Sequence, residues 1–240
     1  VAINRVIGAT VFMTRSYLKE PLAFVSDLII PLIMFMIVHL GTGRGVESLI
    51  GILIVIAWSS GSFALARKLG SYKAWRLMDM FIASPLKPIE FAIAAALAHL
   101  IIIVLPATIV TVIMILISSI NPASLILLIA SIIVAWITGI TFGLYVYSKL
   151  ADPFKISSTA NLLNLLLIIL PPVIYPISIL PPSIQLISIL LPTVSLKLVA
   201  LHLVGISTGI GIPIFIPTII VIVYATFFTI SAIKQRIFVE

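Results

Sequence analysis

The sequence predicts an all-α membrane protein: six transmembrane helices, an N-terminal interfacial helix, a short cytoplasmic helix and an outer re-entrant helical hairpin. Three observations carry this. Hydrophobic residues make up 62% of the chain and charged residues 9%, whereas a soluble domain carries roughly a quarter charged residues. The apolar residues fall into runs of about 20, the length that crosses a bilayer as a helix. The basic residues between those runs gather on one side. Six crossings and their connections fill the 240 residues, so a single transmembrane domain over 1–240 is expected, with no soluble domain of ordinary size beside it.

Residues 1–20 mix apolar and polar positions at helical spacing. Asn4, Gly8, Arg15 and Lys19 trace one side, and Ala2, Val6, Met13 and Tyr17 the other. That pattern suits a helix lying along the membrane surface. No clean apolar core ending in small residues occurs there, so no cleavable signal is expected. Glu20-Pro21 then opens a first span over about Leu22–Leu40, since proline is tolerated at a first helical position. Pro31 lies inside it and should bend it. Asp27 sits about one turn earlier. An acid within a span is a functional candidate, set against the plainer reading of an acid near the inner headgroups paired with Arg15 or Lys19.

The loop Gly41–Glu47, GTGRGVE, has glycines but no Lys-Ser/Thr and no preceding strand, so it is a turn and not a phosphate cradle. The second span covers about Ser48–Ala66. Its WSSGS, Trp58–Ser62, puts small residues where helices pack closely. Next comes the longest polar interruption, Arg67–Glu90. Within it Lys73, Arg76 and Asp79 recur every three residues, and Trp75, Met78 and Ile82 share another face. This predicts a short amphipathic helix over 71–83. Ser84-Pro85 and Lys87-Pro88 stop it, because proline disfavours the helical region for its predecessor.

The third span covers about Phe91–Ile117, with His99 and Pro106 inside. Asn121-Pro122 marks a turn, and the fourth span covers about Ser124–Tyr147. After a polar loop holding Lys149, Asp152 and Lys155, the fifth span covers about Ile156–Leu170. Six prolines then fall between Pro171 and Pro192, Pro181 and Pro182 among them. The stretch is too apolar for a solvated loop and too broken for one span. It predicts a re-entrant hairpin over 175–205, with short helices near Ser183–Leu191 and Val194–Val204. The sixth span covers about Ile212–Ile230, and the tail ends with Lys234, Gln235, Arg236 and Glu240.

Charge orients these elements. With the N-terminus in the cytoplasm, twelve of the fourteen Lys and Arg residues are cytoplasmic, and Arg44 and Lys197 remain outside. Both termini are then cytoplasmic by the positive-inside rule. This distribution accounts for the net charge of +7 without nucleic acid as a partner.

Chemistry is sparse. The chain has no cysteine, so disulfides and cysteine-ligated metal sites are excluded. His39, His99 and His202 lie on three different segments and read as packed or interfacial side chains, not metal ligands. No G-x-S-x-G, H-E-x-x-H or P-loop is present, so no catalytic residue is expected and the chain has no ATPase motif of its own.

The order of these parts resembles the permease subunit of type-2 ABC exporters, the family of polysaccharide and multidrug export permeases. RSYLKEPLAFVSDLIIP, Arg15–Pro31, resembles that family's surface helix and proline-opened first span. RLMDMFIASPLKPIEF, Arg76–Phe91, resembles its cytoplasmic helix and Ser-Pro turn, although Leu77-Met78-Asp79 stands where a Glu-containing form is usual. YPISILPPSIQLISILLPTVSLKLVALHLVG, Tyr175–Gly205, resembles its outer re-entrant hairpin. The likeness covers nearly the whole chain. It implies an exporter in the cell membrane, working as a homodimer with separate ABC ATP-binding subunits that hold the ATP and magnesium. It makes the 71–83 helix a coupling helix, with Lys73, Trp75, Arg76, Asp79 and Met80 facing the ATPase. Pro181, Pro182 and Pro192 would then shape the outer gate. An ATPase-independent secondary transporter or channel is the alternative, and the cargo is not readable.

Overall fold

A computed structural model describes residues 2–19, 21–43, 45–117, 121–150, 152–207 and 211–234. Arg44, Gln235, Arg236 and Glu240 lie outside the described residues, as does the side chain of Asp27. Every regular element described is helical. In order these are α1 (Ala2–Leu18), α2 (Pro21–Thr42), α3 (Gly45–Ala74), α4 (Leu77–Ala83), α5 (Pro88–Ile117), α6 (Pro122–Lys149) and α7 (Pro153–Asn164), which continues as a π-turn over Leu165–Ile169. A 3-10 turn (Ile177–Ile179) follows, then α8 (Pro182–Ile189), α9 (Pro192–Val204) and α10 (Phe215–Lys234).

Three of these helices, α3, Ile89–Ile117 within α5, and α6, are long and apolar enough to cross a membrane. Leu32–Gly41, Phe154–Ile169 and Phe215–Ser231 are shorter apolar helices, and α8 and α9 form a pair bent by 98°. In α3, 83% of the most apolar window is buried within the protein, against 28% in α5 and 39% in α6. So α3 is the central helix, and its most apolar stretch is buried on all sides for that reason. By contrast α5 leaves Ile101, Val104, Val112 and Leu116 exposed, an apolar surface suited to lipid and not to water. Hydroxyls on these helices mostly bond their own backbone: Thr108, Thr111, Ser131 and Thr226 each donate to the carbonyl four residues earlier. That satisfies them without a partner helix.

Helix α1 buries Thr10, Met13 and Tyr17, the face that packs on α5. Arg5 fastens its start, with Nη2 3.0 Å from Glu90 Oε1 and Nη1 donating to the Pro85 carbonyl at 2.6 Å. Glu90 also accepts the Lys87 N–H at 2.9 Å, so one carboxylate joins α1 to the start of α5.

The centre of the fold is the crossing of α3 and α6. A Cβ added to Gly61 would lie 2.7 Å from the Trp136 carbonyl oxygen, and one on Gly139 2.7 Å from that of Trp58. One on Gly143 would meet the carbonyl oxygens of Ser62 at 2.5 Å and Gly61 at 2.7 Å. The two backbones therefore touch, the geometry that small residues at i and i+4 permit. Beside the contact, Phe142 packs on Trp58 (5.5 Å between ring centroids), Phe63 (6.0 Å) and Phe228 (4.9 Å), which brings α10 to the same point. Gly51 makes a second close approach, to the backbone at Val173.

Two boundaries differ from the sequence reading. The second apolar helix does not end at Ala66 but runs on to Ala74, because no proline breaks its backbone ladder where the charges begin. The helix expected over 71–83 is two pieces: Ser71–Ala74 closes α3, Trp75 and Arg76 form a turn, and α4 starts at Leu77. Arg76 has φ +56°, in the left-handed region, so the three-residue stripe of Lys73, Arg76 and Asp79 is not a continuous helical face.

Introducing a side chain at the crossing should destabilise the protein. Gly139→Leu is expected to lower stability by about 1–3 kcal/mol or more, the scale of overpacking, read as earlier thermal unfolding in detergent. Gly8→Ala, whose added Cβ meets nothing within 4 Å, should unfold like the parent.

Candidate functional site

Three features are arranged along α3. The first lies at its C-terminal end. Helix α4 buries Met78 and turns Phe81 toward Phe12 (5.8 Å), Tyr72 (5.9 Å) and Phe91 (5.0 Å). That aromatic contact fixes α4 against α1, α3 and α5. Of the residues expected to face a partner, Trp75, Arg76, Asp79 and Met80 are exposed, while Lys73 is half-buried on the last turn of α3. Trp75 is 60% exposed, Met80 62% and Ile82 57%, an apolar tip on an otherwise anchored element. Lys68 lies 5.6 Å from the Tyr72 ring and 6.0 Å from the Trp75 ring, close enough for cation–π attraction. Between α1 and α4 runs a groove of about 330 Å³ lined by Gly8, Phe12, Leu77, Met80 and Pro85.

The second feature is a cavity of about 570 Å³ beside α3, bounded also by α2, α5 and α7. Ile52, Ile56, Ser59, Phe63, Arg67 and Ser71 recur along one face of α3 and line it. From Ile52 to Ser71 the helix rises about 28 Å at 1.5 Å per residue, close to the hydrocarbon thickness of a bilayer. Both π-turns border the cavity: Ser60–Ala64 interrupts α3 beside it, and Leu165–Ile169 ends α7 against it. A π-turn adds a residue to the helical turn and re-aims the side chains that follow, which is why such turns recur at functional sites.

The third feature is at the N-terminal end of α3. Lys197 has no exposed surface. Its Nζ lies 3.2 Å from Glu47 Oε1 and donates to the carbonyls of Tyr175 (2.8 Å) and Pro172 (3.2 Å). Three segments meet there: α9, the proline-rich chain before α8, and the first turn of α3. The sequence assigns Lys197 to the outer side of the membrane; its ammonium ion is fully buried within the protein, which is tolerable only when a carboxylate and carbonyls replace its water. Thr193 donates to Leu167 O (2.5 Å) and Ser195 to Ile189 O (2.5 Å), holding α9 against its neighbours. The chain leaves α9 through Gly205 at φ +82°, with Ile206 N–H bonded to Leu201 O, a left-handed cap that glycine adopts without strain.

The prolines singled out for the outer end have a local role. Pro182 and Pro192 begin α8 and α9, and Pro181 precedes α8 in extended backbone. Pro192 is buried, whereas Pro181 and Pro182 are exposed. His39 stacks on Phe35 (5.3 Å), His99 meets Tyr17 edge-on (6.2 Å), and His202 is exposed on α9. Among the described residues no cluster of His, Asp or Glu could hold a metal ion.

Comparison with known families finds no model that matches this chain, and comparison with characterised proteins finds no significant relative. The reading of function therefore rests on the residues and their arrangement.

Removing one partner of the buried ion pair should cost more than removing both. Lys197→Met leaves Glu47 without its ammonium partner and is expected to destabilise by about 3–5 kcal/mol. Glu47→Leu combined with Lys197→Met should recover most of that loss, and thermal unfolding of both variants measures it.

Proposed function

We propose that this chain is the membrane-spanning subunit of an ATP-driven ABC exporter, forming a translocation pathway as a dimer and coupled to separate ATP-binding subunits in the cell membrane. On this reading α2, α3, α5, α6, α7 with its π-turn, and α10 make six crossings. The α8–α9 pair enters and leaves on the outer side, and both termini are cytoplasmic. The observation that carries the reading is the exposed apolar tip at Trp75, Met80 and Ile82, set on an anchored helix directly at the end of the helix that lines the cavity. A partner pressing on that tip would move α3 through the short Trp75–Arg76 turn and α5 through the Ser84–Lys87 connection. The charge bias also supports it. Lys197 is satisfied inside the protein by Glu47, so it no longer counts as a positive charge presented to the outer side.

The energy source in this scheme is ATP bound with magnesium on the partner. This chain contributes the pathway and the docking surface, and no catalytic group. Trp75 and Arg76 belong to the residue types that dominate interface hot spots, where truncation costs about 2 kcal/mol or more, roughly thirty-fold in affinity.

Trp75→Ala with Arg76→Ala should therefore leave the chain folded and inserted while the ATP-binding subunit no longer co-purifies, or no longer changes its hydrolysis rate with cargo. Lys149→Ala, at the end of α6, should have little effect. Full ATPase association in the double variant, with loss in Lys149→Ala, would move the docking role to the α6–α7 connection. A chain that transports with no ATP-binding subunit would be a secondary transporter or channel instead.

A further inference from the structure

The lining of the cavity beside α3 is polarised along its length. Towards the Glu47 end it is apolar, with Ile52, Val55, Ile56, Ile103, Ile168 and Ile174. Ser59, Ser60 and Asn164 occupy the middle, and the end nearest α4 holds Arg67, Lys68, Ser71 and Ser157. Among the described residues the lining contains two cationic side chains and no carboxylate. Arg67 gives one N–H to Asn161 Oδ1 at 3.3 Å. A guanidinium has five such donors in a planar fork suited to carboxylate and phosphate oxygens, and Arg67 is only half-buried. The volume of about 570 Å³ falls in the ordinary range for an organic ligand.

We propose that this cavity binds a single-chain amphiphile with an anionic head group, the head held at Arg67 and the chain lying along the apolar face of α3 towards Ile52. The apolar end rewards a hydrocarbon chain by the area it removes from water or headgroups. The cationic end sets the sign of the head. An amphiphile with a quaternary ammonium head would face the Arg67 guanidinium there and is disfavoured. As a statement about cargo this rests on the exporter reading; as a statement about binding it does not, because every described lining residue belongs to one chain.

The test compares ligands that share a chain and differ in head charge. The full chain is placed in phosphatidylcholine nanodiscs, with empty nanodiscs as background. Binding is then measured for dodecyl phosphate, dodecanoate, dodecyl maltoside and dodecyl trimethylammonium. Dodecyl phosphate or dodecanoate should bind about tenfold more tightly than dodecyl trimethylammonium, the usual scale of a charge-assisted hydrogen bond. Which of the two is tighter tells a phospholipid-type ligand from a fatty-acid type, and tighter binding of either supports the site. Arg67→Gln should abolish the anionic preference while dodecyl maltoside binds as before. Val55→Trp, which fills the apolar end, should weaken all of them. Equal or tighter binding of dodecyl trimethylammonium overturns the proposal, as does an anionic preference that survives Arg67→Gln. If that variant fails to insert, the head-group series on the unaltered chain and Val55→Trp still decide. No ATP or partner is present, so failure here leaves the exporter reading to the docking variants, and their failure leaves this binding result intact.

Discussion

Two backbones touch at the middle of this protein, and most of its other features depend on that contact. With no side chain at Gly61, Gly139 or Gly143, α3 and α6 approach until carbonyl oxygens occupy the places where Cβ atoms would stand. In lipid, where burial of apolar surface offers little advantage to one helix pair over another, such close packing is a principal source of specificity. The contact holds α3 inside the bundle. Helix α3 in turn carries Glu47 at one end, the cavity lining along its length, and the turn into α4 at the other.

The ion pair of Glu47 and Lys197 has a different character. Taking both charges out of water costs several kcal/mol per ion, and an apolar pair of similar volume is often as stable. Its contribution is positional, since the Lys197 ammonium pairs with the Glu47 carboxylate and donates to the carbonyls of Tyr175 and Pro172. It thereby defines how α9 and the proline-rich chain sit on α3.

Much of the architecture was legible in the sequence because it follows from local rules. The apolar runs mark the long helices, and Pro88, Pro122, Pro153, Pro182 and Pro192 each begin a helix. Met13 and Tyr17 fall on the buried face of α1 as their spacing requires. Local rules also explain the failures. Nothing between Lys73 and Leu77 signals a turn, since Arg76 adopts a backbone conformation that usually calls for glycine. The two π-turns have no composition of their own, although the small residues of WSSGS mark where the first one falls. Asp152 was read as a loop charge, yet its carboxylate accepts the Phe154 N–H at 2.9 Å and caps α7; Asp-Pro was the available signal. The Glu47–Lys197 pair joins residues 150 positions apart, and only contact in three dimensions reveals it. The hint was that Lys197 is a solitary charge in an apolar stretch assigned to the same side as Glu47.

The account depends on a polarised molecule, with α4 on one face of the membrane and a hairpin that returns to the other. A pair of helices bent by 98° that returns to the face it entered keeps both its ends on one side, whereas one broken crossing puts them on opposite sides. Because the chain has no cysteine, single cysteines at Ser178, Ser207 and Met80 can be labelled in sealed vesicles with an impermeant reagent. The account predicts that Ser178→Cys and Ser207→Cys react only from outside and Met80→Cys only from the cytoplasmic face. Labelling of Ser178→Cys and Ser207→Cys from opposite sides, or of Met80→Cys from the same side as both, would contradict it.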